Sequence, residues 1–80
     1  MVDYERYMNK IVLVDWSDSI TAQGWHDTVD LSSPLPTIAS VGLFLGYTGE
    51  YIALAGDWHD SSHNRIMRIP KGCIKEVKVL

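Results

Sequence analysis

Apolar and polar positions in this 80-residue chain recur in short runs with a period of two, and the runs predict strands. Residues 10–16 (KIVLVDW) are rich in β-branched side chains and bounded by polar ones, the signature of a first strand. Ile11 and Leu13 share one face with Asp15, and Val12, Val14 and Trp16 share the other. Apolar residues on both faces predict a central or barrel position rather than an exposed edge. Residues 37–47 (TIASVGLFLGY) predict a long second strand. Its face of Ala39, Val41, Leu43, Leu45 and Tyr47 is continuously apolar. The opposite face, with Ser40, Gly42 and Gly46 beside Ile38 and Phe44, has the small residues expected of sharp coiling or a closely packed backbone.

The remaining elements follow in quick succession. Thr48-Gly49 predicts a hairpin turn, with glycine supplying positive φ. Residues 50–56 are the expected third strand, residues 57–64 (DWHDSSHN) a polar loop, and residues 65–69 the fourth strand. Pro70 stops that strand because it has no N–H to donate. The corner Ile69-Pro70-Lys71-Gly72 turns the chain, Ile74 plugs the core from it, and residues 76–80 form a fifth strand. In that strand Val77 and Val79 point inward and Lys78 outward. At the other end, Tyr4, Tyr7 and Met8 have helical spacing, enough for one or two turns that need packing to persist.

Residues 17–36 make the longest irregular piece, with Gly24, Pro34, Pro36 and many Ser, Thr and Asp. A loop this long in a compact domain is usually functional or hides an element. Residues 28–31 are placed to form a helical turn, and Ile20, Trp25, Val29 and Leu31 to cap an open barrel end. The whole pattern predicts one mostly β domain over residues 1–80: a five-stranded antiparallel sheet or small barrel with a long loop after strand one. The ending, strand, corner and strand, resembles the close of an SH3-like or Sm-like barrel. In SH3-like barrels the long loop after the first strand often borders the binding groove.

Composition narrows the function classes. Hydrophobic content of 46% suits a folded globule. A chain this short has a thin core and often relies on a staple or a partner subunit. The single cysteine, Cys73, excludes an internal disulfide and suits a reducing compartment. Seven Lys and Arg against ten Asp and Glu, a net charge of −3, argue against sequence-independent nucleic-acid binding. The start, MVDYERYMNK, has no apolar signal-type run, and no apolar stretch approaches the ~20 residues of a membrane span. The expectation is a soluble protein, with no membrane partner.

A set of short motifs carries a resemblance across residues 14–77: Val14-Asp15-Trp16, Gly24-Trp25, Ser40-Val41-Gly42, Tyr51-Ile52-Ala53-Leu54-Ala55, and Ile69-Pro70-Lys71-Gly72-Cys73-Ile74. In order and spacing the chain resembles a group of short β-rich proteins encoded by tailed bacteriophages and prophages. The resemblance implies a phage or prophage origin and a compact β-rich domain, and with the cytosolic setting that the lone cysteine suggests the expected location is the host cytoplasm. It transfers no activity. Small phage proteins of this kind often block a host defence protein or sequester a signalling nucleotide.

Candidate chemistry is sparse. His59 and His63, four residues apart between Asp57 and Asp60, have the spacing of a zinc pair on a helix, with His26 or Asp27 as a third ligand. A loop removes that geometry, so solvated histidines are the expectation and no metal is assigned. Trp16, Trp25 and Trp58 offer an aromatic shelf for a base, a peptide or a protein hot spot, or else core for the first two. Trp58, in a polar stretch, is the best surface aromatic. Asp15 lies in an apolar strand and, if buried, needs Arg65 or Arg68. Cys73 beside Lys71 reads as a small corner residue rather than a nucleophile. No glycine-rich phosphate loop precedes a helix, so no cofactor is implied.

These residues favour a non-enzymatic interaction protein that binds a host protein through Trp25, His26, Trp58, His59, His63 and Arg65. The alternatives are an oligomer that captures a small nucleotide between subunits, with Arg65, Arg68 or Lys71 on the phosphates, and a virion or assembly component. Apolar residues on both faces of the central strands predict a homo-oligomer.

Overall fold

The computed structural model describes residues 2–18 and 35–80. Five strands form one antiparallel sheet: β1 (Ile11–Ser17), β2 (Thr37–Tyr47), β3 (Tyr51–His59), β4 (Ser62–Pro70) and β5 (Ile74–Val79). Their order across the sheet is β4-β3-β2-β1-β5. A 3-10 turn at Tyr4–Tyr7 precedes β1, and another at Lys71–Cys73 joins β4 to β5.

The expected five-stranded antiparallel sheet is therefore present. Val12 and Val14 from β1, Phe44 from β2, Ile52 and Leu54 from β3 and Ile69 from β4 form one buried cluster. Ile74 and Val77 from β5 pack against it, as do Trp16, Tyr4 and Met8. All five strands thus supply side chains to one cluster, which Tyr7 of the first 3-10 turn joins, while β4 and β5 are the edges of the sheet. Each large side chain sealed there contributes about 1.5–3 kcal/mol. Phe44, fully buried, is the largest.

β2 is the strand that bends. Its first part pairs with β1, from Thr37 opposite Ser17 to Leu43 opposite Ile11. Its last part pairs with β3, from Leu43 opposite Ala55 to Tyr47 opposite Ile52. At the changeover a Cβ on Gly42 would lie 2.7 Å from the Ala55 carbonyl oxygen. The small-residue face of β2 is thus the inward one, with another backbone packed on it. The continuous apolar face turns outward, which leaves Val41 55% exposed. A bulge between Phe44 and Gly46 then brings Phe44 and Tyr47 to one side, with ring centroids 6.4 Å apart.

The first 3-10 turn packs on the sheet beside these rings. Asp3 caps it by accepting from the Glu5 N–H at 3.1 Å. Tyr4 stacks on Phe44 at 6.5 Å, and Tyr47 Oη donates to Glu5 Oε2 at 2.8 Å. Asn9, at φ 62°, turns the chain into β1. Asparagine tolerates that conformation better than most residues.

Several expectations need correction. Residues 57–64 are not a loop. β3 continues to His59 and β4 begins at Ser62, leaving a two-residue turn at Asp60-Ser61. Asp60 adopts φ 52°, so it provides the turn that a polar composition had suggested was spread over eight residues. Gly49 does not supply positive φ; Asn9, Asp60 and Arg65 are the residues that do among those described. Thr48 makes the β2–β3 turn instead, its Oγ1 accepting from the N–H groups of Glu50 at 3.0 Å and Tyr51 at 3.2 Å. Asp15 is only half-buried, on the outer face between Ala39 and Glu76, and pairs with neither Arg65 nor Arg68.

Gly42→Ala is expected to cost about 1–3 kcal/mol, because the Ala55 backbone cannot yield as a side chain would. Gly46→Ala, with nothing within 4 Å of its Cβ, is expected to stay within about 1 kcal/mol of wild type. Thermal denaturation of the two variants checks this. Equal melting temperatures would mean that the β2–β3 approach is not tight.

Candidate functional site

Beyond Leu43 and Ala55 the sheet divides. Residues 37–42 of β2 pair only with β1, and residues 57–59 of β3 only with β4. The β3–β4 hairpin therefore runs on as a two-stranded ribbon past the core. Between it and β2 opens a cleft of about 450 Å³. Leu54 lies at its base, Ser40 and Val41 form one wall, and Gly56, Arg65, Ile66 and Met67 form the other. Ser40 is held from behind, its Oγ accepting from Trp16 Nε1 at 3.0 Å.

The exposed apolar wall follows from strand geometry. Ile66 and Met67 are adjacent in β4, opposite Ala55 and Leu54, so they face opposite sides of the ribbon. Ile66 is 55% exposed and Met67 42%. Nothing on the core side of the described structure covers them fully, because β4 is the last strand of the sheet.

Arg65 sits where the ribbon is distorted. Its φ is 50°, and the pair Gly56–Arg65 is missing from an otherwise continuous β3–β4 register. Asn64 Oδ1 accepts from the Arg65 N–H at 2.9 Å, which secures the unusual backbone locally. A Cβ on Gly56 would sit 3.2–3.3 Å from atoms of the Arg65 side chain, so glycine leaves the path that Arg65 takes. The guanidinium reaches Asp57 in a two-pronged contact, Nε to Oδ2 at 2.6 Å and Nη2 to Oδ1 at 3.0 Å. That hydrogen bond, with the charge behind it, holds the Asp57 carboxyl below its ordinary range and pushes Arg65 up. Each neutralises the other, so the cleft carries little unbalanced charge from this pair.

At the ribbon tip, Trp58 stands opposite His63 and His59 opposite Ser62. A smaller cavity of about 280 Å³ lies here, lined by Asp57, Trp58, His59, Ser62, His63 and Asn64. Trp58 is 44% exposed. The register decides the fate of the histidine pair. His63 shares a ribbon face with Trp58, and His59 shares the other with Ser62, so the two imidazoles point apart. His59 Nε2 lies 3.5 Å from Asp60 Oδ2 in full solvent. No group of three or more metal-binding side chains occurs among the described residues.

Of the six residues expected at the site, Trp58, His59, His63 and Arg65 fall on one ribbon, and Trp25 and His26 lie outside the described residues. Sequence reasoning missed Val41, Ile66 and Met67. The signal was present in Ile66-Met67: in a strand at the sheet edge, one of two adjacent large apolar residues has to face outward. Arg65, expected to meet a partner, a phosphate or Asp15, is paired with Asp57. No helix among the described residues is long and apolar enough to cross a membrane. In comparisons with known proteins, no family model, no curated protein and no solved structure matches the chain.

The Asp57–Arg65 contact sets a pH dependence. A carboxyl held below its ordinary value of 3.8 contributes stability that is present above that value and is lost as pH falls through the folded-state value. Wild type and Asp57→Asn are therefore expected to differ in stability by a constant amount near neutrality, and the difference to shrink below pH 3.8. Denaturant titrations at stepped pH check it. A difference independent of pH down to strongly acidic conditions would show that the ion pair is not formed in solution.

Proposed function

We propose that this chain is a non-enzymatic interaction module, of phage or prophage origin, that binds a host protein through the cleft and the ribbon beside it and thereby blocks or modulates that protein. The observation that carries the reading is the grouping of Val41, Ile66 and Met67 on the cleft, with Trp58 further along the same ribbon, all substantially exposed. Protein interfaces have this composition: an aromatic and Met-rich centre, depleted in unpaired charge, with polar groups around it. Asp57 and Arg65 satisfy each other, so covering them does not strand a lone charge.

Nucleotide capture has less support. Arg65 is held by Asp57, Arg68 lies over the Tyr51 ring at 5.2 Å, and Lys71 lies over Tyr4 and Tyr47. Trp58 is next to the hairpin tip, whereas Lys71 follows Pro70, which pairs with Tyr51 at the hairpin base. Within one chain these residues do not converge on a base and its phosphates.

Self-association belongs to the same proposal. On the outer face, the exposed Ile11 and Ile66 lie in one register row with the half-buried Leu43 and the fully buried Ala55, and Leu80 continues it through its N–H to the Ile11 carbonyl at 2.9 Å. β4 and β5 end the sheet on either side, and unpaired strand edges are natural places for a second copy.

Ile66→Glu and Trp58→Ala are expected to keep the melting temperature within a few degrees of wild type, since both side chains are exposed. Each is expected to cut recovery of the bound host protein at least tenfold in affinity capture from host cells. Lys10→Gln, at an exposed position on the opposite part of the chain, serves as the control and is expected to recover wild-type amounts. Equal recovery by all variants would remove the cleft and ribbon from the binding surface.

A further inference from the structure

A second site stands at the far end of the β3–β4 hairpin. A pocket of about 640 Å³ is lined by Val2, Asp3, Tyr4, Tyr47 and Lys71. We propose that it binds a carboxylate carried on an aromatic or apolar body, with Lys71 Nζ as the anion anchor and the two tyrosines and Val2 as the apolar wall.

Lys71 is unusually well placed for this. Its backbone N–H donates to the Glu50 carbonyl at 2.8 Å, which fixes the base of the side chain. Its ammonium lies 4.8 Å from the Tyr4 ring centroid and 5.0 Å from that of Tyr47. Both rings are themselves held, Tyr4 by its stack on Phe44 and Tyr47 by its bond to Glu5. The Glu5 hydrogen bond foremost, and then desolvation, push the Tyr47 phenol up, so it stays protonated and the bond persists through neutral pH. A lysine already ordered over two rings loses less freedom on meeting an anion than a free surface lysine does.

Lys71 has no carboxylate at ion-pair distance among the described residues. Ring faces attract an ammonium but leave it a full positive charge with donors to spare. Asp3 and Glu5 on the adjoining turn keep their negative charges but are directed to other donors. Asp3 accepts the Glu5 N–H, and Glu5 accepts the Tyr47 hydroxyl. Arg65 and Lys78, by contrast, sit in ion pairs with Asp57 and Glu76. Lys71 is in none of the ion pairs of the described residues.

A monoanion fits better than a phosphate. One ammonium matches one carboxylate, while the Asp3 carboxylate on the pocket rim disfavours a dianion. The apolar wall asks for a ring or alkyl group beside the charge. Two sources carry that chemistry: a free aromatic acid, or an Asp or Glu side chain next to an aromatic residue in a peptide.

The test is an amide chemical-shift titration of the whole chain at low salt with three probes: phenylacetate, its neutral isostere phenylacetamide, and the blocked dipeptide acetyl-Phe-Asp-amide. Phenylacetate or the dipeptide is expected to give saturable shifts at Tyr47, Lys71 and Gly72, at least tenfold tighter than phenylacetamide. Lys71→Gln is expected to erase that advantage and Lys71→Arg to keep it. Tighter binding by the dipeptide assigns the site to acidic peptides, and tighter binding by phenylacetate to free aromatic acids. The proposal is overturned if neither anion saturates, if phenylacetamide binds as well, or if Lys71→Gln binds like wild type. Should Lys71→Gln fail to fold, the comparison of charged and neutral probes on wild type and Lys71→Arg decides alone.

Discussion

Everything in this structure hangs on the contact between Gly42 and the Ala55 backbone. β2 has to serve two partners, β1 along its first part and β3 along its last. It passes from one to the other where its inner face carries no side chain, so the Ala55 carbonyl can come closer than any Cβ would allow. That bend folds the sheet over Phe44 and seals the core. Beyond it β2 and β3 no longer pair, and the cleft opens between them. Core and candidate site are two consequences of a single close approach.

The same economy governs charge. No charged residue is buried among those described, and the core needs no ion pair to hold it. Charges are managed at the surface in small local sets: Arg65 with Asp57, Lys78 with Glu76, Lys75 with the Thr37 hydroxyl. Such exposed pairs contribute little to stability. Their effect is to decide what remains available for recognition. Around the cleft they leave Val41, Ile66 and Met67 without competing charge. Near the first 3-10 turn they leave Lys71 outside any ion pair of the described residues. The two proposed surfaces lie at opposite ends of one hairpin, which makes them separable by substitution.

Strand positions were legible in the residues because the core imposes alternation. The second strand was expected over the residues it occupies, and the first and fifth within two residues at each end. Pro70 ended β4 as its missing N–H requires. The polar stretch at residues 57–64 was not legible as strand, since its side chains face solvent on both sides and no burial pattern marks them. Backbone pairing alone holds it, aided by Asp60 in the left-handed region and by the Arg65–Asp57 contact across the ribbon. Gly49 misled for a related reason: the Thr48 hydroxyl can make a turn that glycine is usually called on to make.

By itself, then, the sequence determined the class of fold and the number of strands, because hydrophobic alternation is a local property that burial enforces. It also singled out Trp58 and Arg65 as residues to follow. Only the tertiary structure decided which face of β2 turns inward, since both faces are apolar and only the partner backbone distinguishes a glycine from a valine. It separated His59 from His63 through the register of a hairpin. It tied Arg65 to Asp57 and set Lys71 over Tyr4 and Tyr47. Those outcomes depend on distances between residues far apart or on opposite strands, and such distances exist only once the chain has closed on itself.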